Sequence, residues 1–114
     1  MTRTTILHEA EVELWEAVEY YESRSPGLGL DLQGDIQAAV QAIAEAPDRW
    51  PLRDDGTRRY LTPRFPYVVV YVRLPARIWI IAFAHCKRRP QYWSDRIRTA
   101  EPRREEVRRC RAVR

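Results

Sequence analysis

The sequence predicts an α+β fold: an N-terminal strand, then an antiparallel helical hairpin packed on one face of a mainly antiparallel β-sheet of about four strands. Apolar residues recur at helical spacing from residue 9 to residue 47. β-Branched and aromatic residues then dominate from residue 57 to residue 85. Helices that come first and strands that follow are typical of the α+β class.

The amino-terminal part predicts one strand and two helices. Thr4 to Leu7 is a β-favouring run, suited to an edge or a central strand. The first helix starts near Glu9 and ends at the breaker cluster 25–27, and Pro47 closes the second. Because the turn between them is short, the helices form a hairpin. Their apolar stripes are Ala10, Leu14, Ala17, Val18 and Tyr21 in the first helix, and Leu32, Ile36, Ala39, Val40 and Ile43 in the second.

Three further strands follow a turn at Asp54-Asp55-Gly56. They are predicted over Thr57 to Thr62, Phe65 to Arg73 and Arg77 to His85, with Leu74-Pro75-Ala76 separating the last two. The connections are too short for crossovers, so these strands are antiparallel. We expect residues 1–96 to form the single domain and residues 97–114 to form a short basic C-terminal extension, either helical or disordered.

Several functional classes lose their usual signals. The longest apolar run, Ile78 to Ala84, is too short to cross a bilayer, and residues 9–22 are acidic where a leader would be apolar. We therefore expect a cytoplasmic protein without a membrane partner. The sequence lacks GxGxxG, GxxxxGK[ST], HExxH and CxxC motifs, and its two cysteines make no metal quartet. We accordingly expect no metal and no cofactor.

Charge is distributed unevenly along the chain. Residues 1–48 carry ten acidic and two basic residues, whereas residues 49–114 carry eighteen basic and six acidic ones. Such a division predicts an acidic scaffold with a cationic surface for a polyanion or an acidic protein. All the basic residues except Lys87 are arginines, which suit bidentate phosphate or carboxylate binding, although a GC-rich genome has the same effect on composition.

Short sequence motifs occur along the chain in the same order as these elements. The motifs are Ala10 to Leu14, Tyr20-Tyr21-Glu22, Pro26 to Gly29, Ala46-Pro47, Trp50-Pro51, Arg58-Arg59, Arg64 to Tyr67, Val70-Tyr71, Ala84-His85 and Arg88 to Trp93. Taken together, from Ile6 to Arg96, the chain resembles the RelE/ParE superfamily of type II toxin–antitoxin toxins, in the subset called plasmid stabilisation proteins.

This resemblance implies a small bacterial toxin that is neutralised by a cognate antitoxin. RelE-like members act on the ribosome and cut mRNA without a metal ion, whereas ParE-like members inhibit DNA gyrase by binding it. The chain is therefore either a metal-independent endoribonuclease or a protein-binding growth inhibitor. We favour the ParE-like function, with the RelE-like function as the alternative.

Metal-free RNA cleavage needs an activated 2′-hydroxyl, a stabilised phosphorane and a protonated leaving oxygen. If the chain is a nuclease, the candidate catalytic residues are Arg59, Arg64, His85 and Tyr92. His85 is the one histidine of the basic half, and a structural role at the strand end is its alternative. In the nuclease branch, an arginine on the third strand occupies the position that corresponds to Val68 here. A valine cannot stabilise a phosphorane, so this departure weakens the nuclease hypothesis.

The binding hypothesis uses the basic and aromatic residues near the end of the domain. The candidate residues for contact with the target or the antitoxin are Arg58, Arg88, Arg89, Tyr92 and Trp93, because arginine and aromatic residues dominate interface energetics. Alternatively, Tyr92 and Trp93 pack the C-terminal segment on the sheet. The resemblance also implies an acidic antitoxin tail, and a cationic surface would attract it.

Overall fold

The described elements follow the predicted order. The computed structural model describes residues 3–87, 92–93 and 95–97, and a helical turn covers residues 95–97. In the described part of the chain, the helices are α1 (His8–Arg24) and α2 (Leu28–Glu45). The strands are β1 (Arg3–Ile6), β2 (Arg58–Leu61), β3 (Tyr67–Leu74) and β4 (Arg77–His85).

The four strands form one mixed sheet in the order β1-β4-β3-β2. β2 and β3 pair antiparallel, as do β3 and β4, whereas β1 lies at the edge and pairs parallel to β4. The parallel pair is possible because the chain between β1 and the other strands passes through both helices, which is long enough for a crossover. The predicted α+β fold is therefore confirmed, and the first strand is an edge strand.

The strand limits differ from the prediction between β2 and β3. The Thr62 hydroxyl donates a hydrogen bond to the Phe65 carbonyl at 2.7 Å, which folds residues 62–65 into a local turn. Pro66 follows and has no amide hydrogen for the ladder. As a result β2 ends at Leu61, and β3 begins at Tyr67 rather than Phe65.

Buried apolar side chains cover both faces of the sheet. The helix-side face carries the first core cluster, in which apolar residues of α1 and α2 pack on β3 and β4. The helix residues of this cluster are Ala10, Ala17, Leu32, Ile36, Ala39 and Ile43. The opposite face carries the second core cluster, where Trp93 packs with Leu7, Trp79 and strand residues. A β-bulge shifts the register between Val70 and Tyr71. The strand residues of the second core cluster are Val70, Val72, Trp79, Ile81, Ala82 and Ala84.

The carboxyl end of the described chain returns to the sheet. Ile97 is half-buried against the second core cluster, although it was predicted to start the C-terminal extension. Residues 98–114 lie outside the described residues, so the division into residues 1–96 and 97–114 stays a prediction. Neither α1 nor α2 has the length and apolarity of a transmembrane helix.

Candidate functional site

Arg58 and Arg59 are adjacent on β2 and therefore lie on opposite faces of the sheet. Arg58 lies on the helix-side face, where its Nη1 donates to the Trp50 carbonyl at 2.6 Å and its Nη2 lies 3.7 Å from Asp48 Oδ1. Arg59 lies on the opposite face, with its guanidinium carbon 4.9 Å from the ring centroid of Trp93. Arg58, predicted to bind a partner, thus holds the loop that follows α2.

The Arg59 side chain is largely buried and forms an ion pair with Asp55. Its side chain is 21% exposed, and its Nη2 lies 3.6 Å from Asp55 Oδ2. Burial and the neighbouring charge of Arg53 lower the pKa of Arg59, and Asp55 offsets only part of that effect. A guanidinium in this position stabilises the packing of Trp93 on the sheet.

Arg64 follows β2 and reaches α2. Its Nε and Nη2 donate to Asp35 Oδ1 at 2.9 and 2.7 Å, and its Nη2 also lies 3.3 Å from the Asp31 carbonyl. The hydrogen bonds and charge of Asp35 raise the pKa of Arg64. Because Asp35 is buried, Arg64 compensates a carboxylate that would otherwise lack a counter-charge.

His85 lies at the end of β4, on the helix-side face. Its Nδ1 accepts a hydrogen bond from the Lys87 amide at 3.0 Å, and its ring meets Tyr67 edge-on with centroids 5.3 Å apart. This arrangement fits the structural alternative for His85, in which the imidazole closes the strand end. A shallow pocket of about 180 Å³ lies beside it. The pocket is lined by Glu13, Glu16, Ala17, Tyr20, Tyr67, Phe83 and His85.

Tyr92 and Trp93 have different environments. The half-buried Tyr92 donates its hydroxyl hydrogen to Glu13 Oε2. Trp93 is only 4% exposed, so the prediction that it contacts a partner is not supported: its indole packs the chain on the sheet, as the alternative held. Arg88 and Arg89 lie outside the described residues, and their predicted binding role stays a prediction.

The four candidate catalytic residues do not share one surface. Arg59 pairs with Val70, which belongs to the second core cluster, whereas His85 pairs with Tyr67, which packs against the first. The Arg59 and His85 side chains therefore leave opposite faces of the sheet. Arg64 is bound to α2, and Tyr92 is bound to α1 through Glu13.

The expected cationic surface is also reduced by internal pairing. Arg64 and Arg96 pair with helix carboxylates, Asp35 and Glu13, which the sequence had placed on the acidic scaffold. Three strand arginines pair with loop carboxylates instead. These are Arg58 and Arg73 with Asp48, and Arg59 with Asp55.

Glu13 was not predicted to be important, yet it connects α1 to the residues that follow β4. Its side chain is 9% exposed and accepts hydrogen bonds from Arg96 and Tyr92. The signal was present in the sequence: Glu13 lies three residues after Ala10 and four before Ala17, both buried in α1. Helical periodicity therefore places Glu13 on the packed side rather than among the solvated glutamates.

An apolar groove is formed by residues of α1 and α2 together with Ile6 of β1. Its volume is about 530 Å³, and Trp15 on its wall is 46% exposed. An exposed tryptophan beside a groove of this kind indicates a protein-binding surface. The α1–α2 groove is lined by Ile6, Glu11, Leu14, Trp15, Gln33, Ile36, Gln37, Val40 and Gln41.

The fold is similar to that of a solved chain described as "Chromosomal ParDE TA system from P. aeruginosa". The TM-score is 0.68 at 18% sequence identity, and the match covers 76% of this chain and 98% of that chain. The two chains therefore share the same overall fold. No protein-family model matches the sequence, and no curated protein matches it.

Proposed function

We propose that this chain is the toxin of a bacterial type II toxin–antitoxin system, inhibited in the cytoplasm by a cognate antitoxin. The sequence resemblance to the RelE/ParE superfamily supports this proposal from Ile6 to Arg96. The similarity of the fold to a ParDE chain, at a TM-score of 0.68, supports it independently of those sequence motifs.

We further propose that the toxin acts by binding a protein target of the DNA gyrase class. The observation that carries this choice is the position of Arg59 and His85 on opposite faces of the sheet. RNA cleavage needs its acid–base and phosphate-binding groups around one scissile bond. Val68, which stands where the nuclease branch has an arginine, adds to this argument. The proposed target-contacting residues are Arg88, Arg89 and Tyr92.

Induction of the chain in a bacterial host tests the mode of action. We expect reduced DNA supercoiling and an SOS response, with mRNA left intact at ribosomal A-site codons. The matched variants are R59A and H85A, each of which removes one candidate catalytic group. Codon-specific mRNA cuts that disappear in either variant would instead establish the RelE-like endoribonuclease and overturn the binding mechanism.

The α1–α2 groove is the proposed site for the antitoxin. We expect W15A to weaken antitoxin binding by about tenfold or more, because buried tryptophans at interfaces are frequent hot spots. L30A is the matched control, since Leu30 is an exposed apolar residue of the same hairpin outside the groove lining. Calorimetric titration with the product of the neighbouring gene measures both affinities. Equal losses in W15A and L30A would show that the antitoxin binds elsewhere.

The salt dependence of antitoxin binding distinguishes apolar binding in the α1–α2 groove from electrostatic binding to surface arginines. Binding through apolar side chains should persist between about 50 and about 500 mM salt, whereas attraction between an acidic tail and surface arginines should weaken strongly over that range. Co-elution of the two proteins at both salt concentrations measures the difference. Because five arginines are already paired internally, we expect the weaker salt dependence.

A further inference from the structure

Glu13 connects α1, β4 and the C-terminal segment, defined here as the described residues 92–93 and 95–97. Glu13 Oε1 accepts hydrogen bonds from Arg96 Nη1 at 2.6 Å and from the Phe83 amide at 3.3 Å, and Oε2 accepts one from the Tyr92 hydroxyl. The Glu13 and Arg96 side chains are only 9% and 16% exposed. Charge-assisted hydrogen bonds in such an enclosed position are stronger than those between neutral groups.

The same groups occupy the edge of β4 where β1 has ended. β1 pairs with β4 only as far as Ile80. Beyond it, Arg96 Nη1 donates to the Ile81 carbonyl at 3.1 Å, and the Phe83 amide donates to Glu13. The backbone groups that would otherwise offer a template for another strand are therefore satisfied by side chains.

The surroundings of Arg96 favour its charged form. Burial alone would lower the pKa of Arg96, but its hydrogen bond to Glu13, the charge of Glu13 and nearby Tyr92 and Glu9 outweigh burial and raise it. The guanidinium carbon also lies 5.1 Å from the ring centroid of Tyr92. Both ends of the C-terminal segment thus converge on one carboxylate of α1.

We infer that Glu13 is the positioning residue for target binding: it fixes the C-terminal segment on the body of the protein without touching the target itself. This inference rests on the proposed function, which assigns the target contact to Arg88, Arg89 and Tyr92. Tyr92 is the described residue among these contacts, and its hydroxyl is bound to Glu13. When Glu13 is replaced, the C-terminal segment loses this attachment, and Tyr92 loses its fixed position on α1.

Trypsin measures the attachment directly in the full-length protein. Cleavage between Arg96 and Ile97 requires the Arg96 side chain to leave Glu13 and enter the protease. We expect E13Q to accelerate cleavage at this bond by about tenfold, the change expected in an opening equilibrium when one charged hydrogen bond is lost. E19Q is the matched control, because Glu19 lies exposed on the same helix and the substitution changes the charge identically.

Y92F provides a second variant that leaves α1 unchanged. It removes one donor to Glu13 and should accelerate the same cleavage by a smaller factor than E13Q. Circular dichroism verifies that each variant retains its helices, so that a change in proteolysis is not caused by global unfolding. Equal cleavage rates in wild type, E13Q and Y92F would overturn the anchoring role of Glu13.

The functional readout is inhibition of supercoiling by purified gyrase. We expect E13Q to inhibit at least about tenfold less well than E19Q, in proportion to its faster cleavage, while its affinity for the antitoxin at the α1–α2 groove stays within about twofold. If E13Q releases the segment but inhibits as well as E19Q, the positioning inference is wrong and the proposed function stands. If the wild-type protein leaves supercoiling unchanged, the proposed function fails, and the inference fails with it.

Discussion

Asp55 organises the turn that precedes β2. Its Oδ1 accepts hydrogen bonds from the Thr57 amide at 3.0 Å and the Thr57 hydroxyl at 2.6 Å. Burial alone would raise the pKa of Asp55. The Thr57 hydrogen bonds and the charge of Arg59 outweigh burial and lower it below its ordinary value of 3.8. Because Thr57 is fully buried, the carboxylate satisfies groups that water cannot reach.

We expect acid to destabilise the wild-type protein more than D55N. The folded-state pKa of Asp55 lies below its unfolded value, so the ionised carboxylate stabilises the fold above about pH 4. That contribution is lost as the pH falls through the folded-state pKa. The difference in unfolding free energy between wild type and D55N should therefore shrink from about pH 6 to about pH 3. Urea unfolding at each pH measures it, and parallel losses in both proteins would contradict the argument.

At the scale of elements, the α1–α2 hairpin is closed by one glutamate and two glycines. The Glu22 carboxylate at the end of α1 accepts hydrogen bonds from the amides of Gly27 and Gly29, each at 3.0 Å, and so caps the start of α2. Gly27 has a φ of 88°, which glycine adopts without steric cost. Gly29 lies so close to α1 that a Cβ there would be 2.7 Å from the Val18 carbonyl oxygen.

Two glycine substitutions in α2 should have opposite effects. G29A forces the helices apart, and we expect it to lower the free energy of unfolding by about 1–3 kcal/mol, as overpacking does. G34A meets no atom within 4 Å and should raise it by about 0.5–1 kcal/mol through helix propensity. Thermal unfolding of both variants provides the measurement. Stabilisation by both substitutions would mean that the helices do not approach closely at Gly29.

At the scale of the whole molecule, the sheet is covered on both faces by different parts of the chain. The hairpin covers the helix-side face, and Trp93 with half-buried Tyr92 and Ile97 covers the opposite face. The C-terminal segment is therefore part of the core as well as the carrier of a proposed target contact. The ion pair between Glu13 and Arg96 attaches this segment to α1.

W93A should destabilise the protein far more than W15A. Trp93 is 4% exposed in the second core cluster, so its truncation should cost about 3 kcal/mol or more. Trp15 is 46% exposed, and W15A should cost less than about 1 kcal/mol. Chemical denaturation of both variants measures the contrast. A cost for W93A as small as that for W15A would show that the C-terminal segment is not part of the cooperative fold.

The residues that carry the family resemblance are largely those that build the fold. Glu22, Gly27 and Gly29 close the hairpin, and the Tyr71 hydroxyl donates to the Pro47 carbonyl at 2.8 Å, which attaches the end of α2 to β3. Short sequence motifs of this kind predict the architecture well because each satisfies a local steric or hydrogen-bonding requirement of the fold. They do not by themselves define a functional site, because the residues do not line one surface.

Element type, order and approximate limits followed from periodicity and turn residues alone. β4 has the predicted limits, and both helices end within two residues of the predicted breakers. These features depend on interactions between residues near one another in the sequence, which a single sequence displays. The turn at residues 62–65 was missed, since the hydroxyl of Thr62 competes there with the strand ladder.

The α+β class, the hairpin, the three antiparallel strands and the uneven charge follow from the amino-acid sequence alone. The internal pairing of the arginines depends on the tertiary fold. The number of charged residues can be read from the sequence, but their pairing cannot. The ion pairs of Arg64 with Asp35 and of Arg96 with Glu13 join residues that are 29 and 83 positions apart in the chain. The tertiary structure also decided that Arg59 and His85 face opposite sides, because strand pairing across the sheet assigns each side chain to a face. This long-range pairing is the observation on which the proposed protein-binding mode of action rests.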